Sequence, residues 1–243
     1  MAMLTNNAEG GTNGVTPTTS DTGSGDQLSE ILGPPAGGTN EYTTTQSAHG
    51  TTCYRARTDT TAGASGVGLG VGGTIVSGYH RVYIFHDAAT IASAFNCIAV
   101  RVGTTAVAFL DISATKKLRL KGGNGVVVYA GTTTITESQW WRVEFYIEAN
   151  GTTSVNGQYW LYSYDSASVT EDSTLFAMTA NSAISNYDTI RMGQLNTSLT
   201  SCPAAGAYFY WDDMAFGHTS QIGPAVLPPP QVRQPGRPVR GYF

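Results

Sequence analysis

The strongest constraint on this chain is a run in which bulky apolar residues fall at every second position. In Gln139-Trp-Trp-Arg-Val-Glu-Phe-Tyr-Ile-Glu148, Trp141, Val143, Phe145 and Ile147 share one side, while Trp140, Arg142, Glu144, Tyr146 and Glu148 share the other. Side chains alternate across a strand but spiral around a helix, so only a β-strand sorts these residues into an apolar and a polar face. Tyr79–His86, Ala106–Ile112, Lys117–Lys121, Gln158–Tyr164 and Ala207–Phe216 read the same way, with shorter strands at Ile98–Val102 and Val126–Tyr129 and an edge candidate at Thr189–Gly193. Gly122-Gly-Asn-Gly125 and Asn150-Gly151 supply residues that tolerate positive φ, so each predicts a tight turn between neighbouring strands.

Composition closes off the alternatives. Only 12% of residues are charged and three are Lys, which excludes a helical bundle or coiled coil. The 41% of hydrophobic residues excludes a charged disordered chain. A net charge of −4 argues against a nucleic-acid partner, and no apolar run is long enough for a membrane-inserted helix. Strands at this spacing predict an all-β fold over residues 51–220, an antiparallel sandwich or barrel.

The flanks read differently. Residues 1–50 are rich in Thr, Gly, Asn and Ser and predict an extended N-terminal arm with one short helical turn, capped by Asp26 and stopped by Gly33. Leu28, Ile31 and Leu32 in that turn have to dock, either on this chain's own sheet or on a neighbour. A second helical turn is expected within Ala88–Ala94. Residues 221–243 form a Pro-rich tail whose Arg233, Arg237, Arg240, Tyr242 and Phe243 suit a tether to a partner.

Several groups of residues carry potential chemistry. Asp212 and Asp213 are candidates for a Ca²⁺ site, but adjacent strand residues face opposite ways, so both reach one site only across a bulge; the alternative is that one accepts backbone hydrogen bonds at the strand end while the other is solvated. No other cofactor is expected. Glu144 and Glu148 lie about 13 Å apart on a regular strand, too far for a glycosidase pair. His49, His80, His86 and His218 are scattered, and Cys53, Cys97 and Cys202 read as buried thiols. Gly66-Val-Gly-Leu-Gly-Val-Gly-Gly lacks the preceding strand and following helix of a dinucleotide loop, and its alternation suggests a Gly-rich strand or loop where backbones approach closely. The aromatic set Trp140, Tyr146, Tyr159, Tyr162, Tyr164, Tyr208, Tyr210 and Trp211 falls on strands expected to be neighbours, as a subunit contact, a glycan-stacking surface or ordinary core.

The order of parts from Ala106 to Phe216, with Trp-Trp-Arg-Val-Glu-Phe in mid-chain and a closing Trp-Asp-Asp-Met-Ala-Phe-Gly, resembles the concanavalin A-like, laminin-G-type jelly roll, above all its versions in virion proteins of tailed bacteriophages. That resemblance implies a non-enzymatic structural protein, a capsid-decoration or minor tail subunit located in the virion, made without a signal peptide and partnered by other virion proteins and copies of itself. Its alternative is a lectin-like module for host-surface glycans.

Overall fold

The computed structural model describes residues 4–21 and 24–225. Sixteen strands run in chain order: β1 Leu4–Asn6, β2 Glu30–Leu32, β3 Thr39–Thr43, β4 Cys53–Arg57, β5 Ser65–Ile75, β6 Ser77–His86, β7 Phe95–Val102, β8 Thr105–Ile112, β9 Lys117–Gly122, β10 Val127–Thr134, β11 Trp141–Ala149, β12 Thr152–Ser163, β13 Glu171–Asp172, β14 Phe176–Ile184, β15 Tyr187–Gln194 and β16 Phe209–His218. They form two antiparallel sheets. The nine-stranded sheet has the order β13-β12-β11-β6-β16-β4-β3, with β14 beside β12 and β1 beside β16; the seven-stranded sheet has the order β10-β9-β8-β7-β15-β5-β2. The chain is an all-β sandwich of the jelly-roll kind, and no described residue is helical.

The alternation read in the sequence is what packs the sheets together. Trp141, Val143, Phe145 and Ile147 of β11 all point into one core with Val82 and Ile84 of β6 and Leu118 and Leu120 of β9. Tyr54 and Trp211 stack with ring centroids 5.6 Å apart inside that core. Two histidines are also enclosed: His80 pairs with the Tyr187 hydroxyl at 2.8 Å and His86 with the Ile135 carbonyl at 3.0 Å. Burial pushes His80 down to about 3, so it packs as a neutral ring. Cys53, Cys97 and Cys202 are buried and unpaired.

Three local readings are corrected. Asp26–Gly33 is not a helical turn: Glu30–Leu32 is an edge strand on β5. It is held by Arg191, whose Nε and Nη2 donate to the two Glu30 oxygens at 2.7 and 2.6 Å. A bidentate ion pair and a ladder across the sheet outweigh the local capping preference. Ala88–Ala94 makes bends without a helical turn. Thr189–Gly193 is not at an edge, because β15 lies between β7 and β5.

The N-terminal residues tether this chain to itself. β1 pairs with β16, β3 pairs with β4, and Ala8, Leu28 and Tyr42 belong to the main core. Leu28 is 2% exposed, while Ile31 packs against the core from β2. Arg233, Arg237, Arg240, Tyr242 and Phe243 lie outside the described residues.

Replacing Leu28 by Ala therefore costs about 2–5 kcal/mol of unfolding free energy, the range for a leucine removed from a packed core. Denaturant unfolding reads this directly; a loss below about 0.5 kcal/mol would mean that the segment is loosely attached.

Candidate functional site

The nine-stranded sheet turns a second face outward, and this face is polar and aromatic. Strand pairing places Glu144 of β11 opposite Arg81 of β6 and Trp160 of β12, and places Arg142 opposite Tyr83 and Tyr162. Tyr146 lies opposite Tyr79, and Asp212 of β16 opposite Tyr83. These residues are the alternate members of strands whose other members fill the core.

Two patches divide the face. At one end Tyr79, Tyr146 and Trp160, each half-buried, come from three neighbouring strands; the Tyr79 ring lies 4.8 Å from Tyr146 and 5.9 Å from Trp160. Glu148 and Asn156 border them, joined by a 2.8 Å hydrogen bond from the Asn156 amide. Toward the middle the face becomes charged and largely buried. The Arg142 guanidinium lies 4.0 Å over the Tyr162 ring, and its Nε is 3.0 Å from the Glu144 carboxylate.

The second patch centres on His49 and depends on an irregularity in β16. The ladder between β16 and β6 shifts register after Asp212, and Asp213 has φ +45°. This bulge turns both carboxylates toward the 48–49 loop. Asp212 accepts the amides of Ala48 at 2.9 Å, His49 at 3.3 Å and Asp213 at 2.8 Å. Asp213 instead pairs with His49 Nδ1, and Asp165 takes Nε2 at 2.8 Å.

Two carboxylates, one at each ring nitrogen, favour the imidazolium form of His49, which donates to both. Burial works against that charge, but the hydrogen bonds to Asp213 and Asp165 outweigh it and raise the His49 pKa above the ordinary 6.5. Burial, with the neighbouring Asp213 charge, pushes Asp212 well above the usual carboxylate range. Tyr83 donates to Asp165 and stands edge-on to His49 at 4.8 Å, while Tyr164 stacks on the other side at 5.3 Å and donates to the Ala48 carbonyl.

The expected calcium pair thus meets at one place, but backbone amides engage Asp212 and His49 engages Asp213. Among the described residues no group of three or more His, Cys, Asp or Glu side chains is arranged to hold a metal.

The expected aromatic set splits between the two faces. Tyr159 and Trp211 belong to the core, where the Tyr159 hydroxyl donates to the Leu118 carbonyl at 3.1 Å. Tyr146, Tyr162 and Tyr164 lie on the outer face as described. Trp140 and Tyr210 pack on Phe85 at 5.3 and 5.2 Å, and Tyr208 lies beneath Arg55 and Arg57 at 4.3 and 4.7 Å. Sequence reasoning did not single out His49, Arg81, Tyr83 or Asp165. Their hydrogen-bond partners are 82 or more residues away, so no local spacing announces them.

No family model and no curated protein sequence matches this chain. Solved structures do. An endo-β-1,4-glucuronan lyase from the fungus Trichoderma reesei aligns over 86% of this chain and 96% of its own, at 13% identity and a TM-score of 0.57. The cellulose-induced protein Cip1 aligns over 91% and 100%, at 12% identity and a TM-score of 0.59. An alginate lyase from Aplysia kurodai aligns over 90% and 100%, at 8% identity and a TM-score of 0.56.

Identities this low establish the shared sandwich and nothing finer. They nonetheless overturn the expectation of a non-enzymatic phage virion subunit. The three structures are of polysaccharide lyases and a cellulose-induced protein, and none of them is described as a phage virion subunit.

The His49 imidazole should titrate above 6.5 in an NMR experiment, and Asp213→Asn should move it down. Because the folded-state pKa is raised, the stability from this pairing is complete below 6.5 and disappears as pH rises through the folded value. The wild type's advantage over Asp213→Asn should therefore shrink with increasing pH.

Proposed function

We propose that the chain is a polysaccharide-acting protein that binds a sugar chain along the outer face of its nine-stranded sheet. The observation that carries this reading is the contiguous patch of Tyr79, Tyr146 and Trp160, three half-buried rings on adjacent strands. Flat aromatic faces bury the apolar C–H surface of a pyranose while its rim hydroxyls reach polar neighbours. Here those neighbours are Glu148, Asn156 and Gln158. That the structural relatives include lyases of glucuronan and alginate supports a polysaccharide as the ligand class.

A second reading, β-elimination on a uronate chain, is favoured by the cluster around His49. Elimination removes a proton from the carbon beside the carboxylate, breaks the adjacent carbon–oxygen bond and returns a proton to the leaving oxygen, forming a carbon–carbon double bond. The Tyr83–Asp165 pair provides the acceptor and, once protonated, the donor to the leaving oxygen; His49, with its two nitrogens bonded to Asp165 and Asp213, holds Asp165 in place, and Arg81 is the countercharge for the substrate carboxylate. Burial and the bond to Asp165 raise the Tyr83 pKa, so the phenol is neutral and gives its own proton to Asp165 as it takes the one from the substrate carbon.

Calorimetry with alginate, glucuronan and cellulose oligosaccharides tests the binding. Tyr146→Ala and Trp160→Ala should each weaken it about tenfold, corresponding to about 1.4 kcal/mol per ring. Saturable binding that neither substitution affects would place the site elsewhere. Ultraviolet absorbance of an unsaturated product, lost in Tyr83→Phe while binding persists, separates elimination from recognition alone.

A further inference from the structure

After β16 the chain turns back across the outer face. Ile222 and Gly223 donate their amides to the two Glu144 oxygens, both at 3.1 Å. Arg81 Nη1 donates to the Gly223 carbonyl at 2.9 Å, and the Ala225 amide donates to the Tyr83 hydroxyl at 3.0 Å. Four backbone hydrogen bonds thus occupy three side chains in the middle of the face, between the aromatic patch and His49. Beside this strap a cleft of about 420 Å³, lined by Asn6, Asn7, Arg81, Asp213, Met214 and Pro224, remains open.

We propose that Ile222–Ala225 sits in a saccharide subsite, so that this strap and a sugar chain compete for Glu144, Arg81 and Tyr83. The inference rests on the polysaccharide reading above and names the residues of its central subsite. Adjacent hydroxyls of a pyranose present two donors side by side, as the two successive amides do, and match a carboxylate that accepts on both oxygens. The guanidinium that holds the Gly223 carbonyl takes a sugar oxygen, and the Tyr83 hydroxyl accepts from a third hydroxyl.

An exchange of this kind leaves no buried charge without a partner. Glu144 is 1% exposed and Arg81 8% beneath the strap, so lifting it opens both to water or to the hydroxyls of a sugar. The open cleft gives the next sugar unit room within the usual range for ligand pockets.

The strap also offers a handle away from the face. Gly223 has φ +76° and nothing lies within 4 Å of where its Cβ would be. Gly223→Val therefore strains the strap without colliding with Glu144 or Arg81.

The test compares the full chain, Gly223→Val and a chain ending at Ser220, each with and without Glu144→Gln. The probes are tetrasaccharides of alginate, glucuronan and cellulose, with hydrogen exchange followed at the Ile222, Gly223 and Ala225 amides. In the full chain these amides should be protected alone and should lose protection as sugar saturates. Affinity should rise about tenfold in Gly223→Val and in the shortened chain, as expected if the strap covers the site nine-tenths of the time. Glu144→Gln should abolish that gain. Equal affinity with and without the strap, or amides that stay protected in the sugar complex, would overturn the competition while leaving polysaccharide binding intact. Binding by none of the folded proteins would overturn both.

Discussion

The site hangs on one buried carboxylate. Asp212 is 0% exposed and gathers the amides of Ala48, His49 and Asp213. Those three donors belong to a bulge in β16 and to a loop more than 160 residues earlier in the chain. A buried carboxyl without partners is costly, so the loop and the bulge are fixed together. The bulge brings Asp213 to the same side as Asp212, and His49 is then held between Asp213 and Asp165. Without the register shift, regular alternation would send one of the two aspartates into the core.

The outer face combines two kinds of surface that meet different physical requirements. The Tyr79–Tyr146–Trp160 patch is apolar and partly open, so a ligand gains by covering it. The Arg142–Glu144–Arg81–Tyr83 region is polar and almost wholly buried, so it is stable only while each group has a partner. In this structure the chain's own backbone supplies part of that partnership. Any ligand of the central region must therefore replace hydrogen bonds and not merely add contacts.

The legible part of the fold was the part with uninterrupted alternation. β6, β8, β9 and β11 could be placed from their sequences because one face of each is almost purely apolar. β5, built on Gly66-Val-Gly-Leu-Gly, and the polar β14 carry too little side-chain contrast to be assigned. Residues 26–33 misled for a definite reason: Asp26 and Gly33 are good helix stops, but Leu28 gains more in the core and Glu30 gains a bidentate partner in Arg191. At the site, the adjacent Asp212 and Asp213 were visible and the need for a bulge was foreseeable. Their actual partner, His49, was not.

The sequence by itself determined that the chain is all β, that its sheets are antiparallel and that turns fall at Gly122–Gly125 and Asn150–Gly151. Strand periodicity and turn chemistry are local, and local order is written in adjacent residues. Which polar residues share a site was decided only by the tertiary structure. Hydrogen bonds between His49, Asp165, Asp213 and Tyr83, and between Glu144 and Ile222, join positions far apart in the chain, and only the order in which strands lie across the sheet brings them within reach.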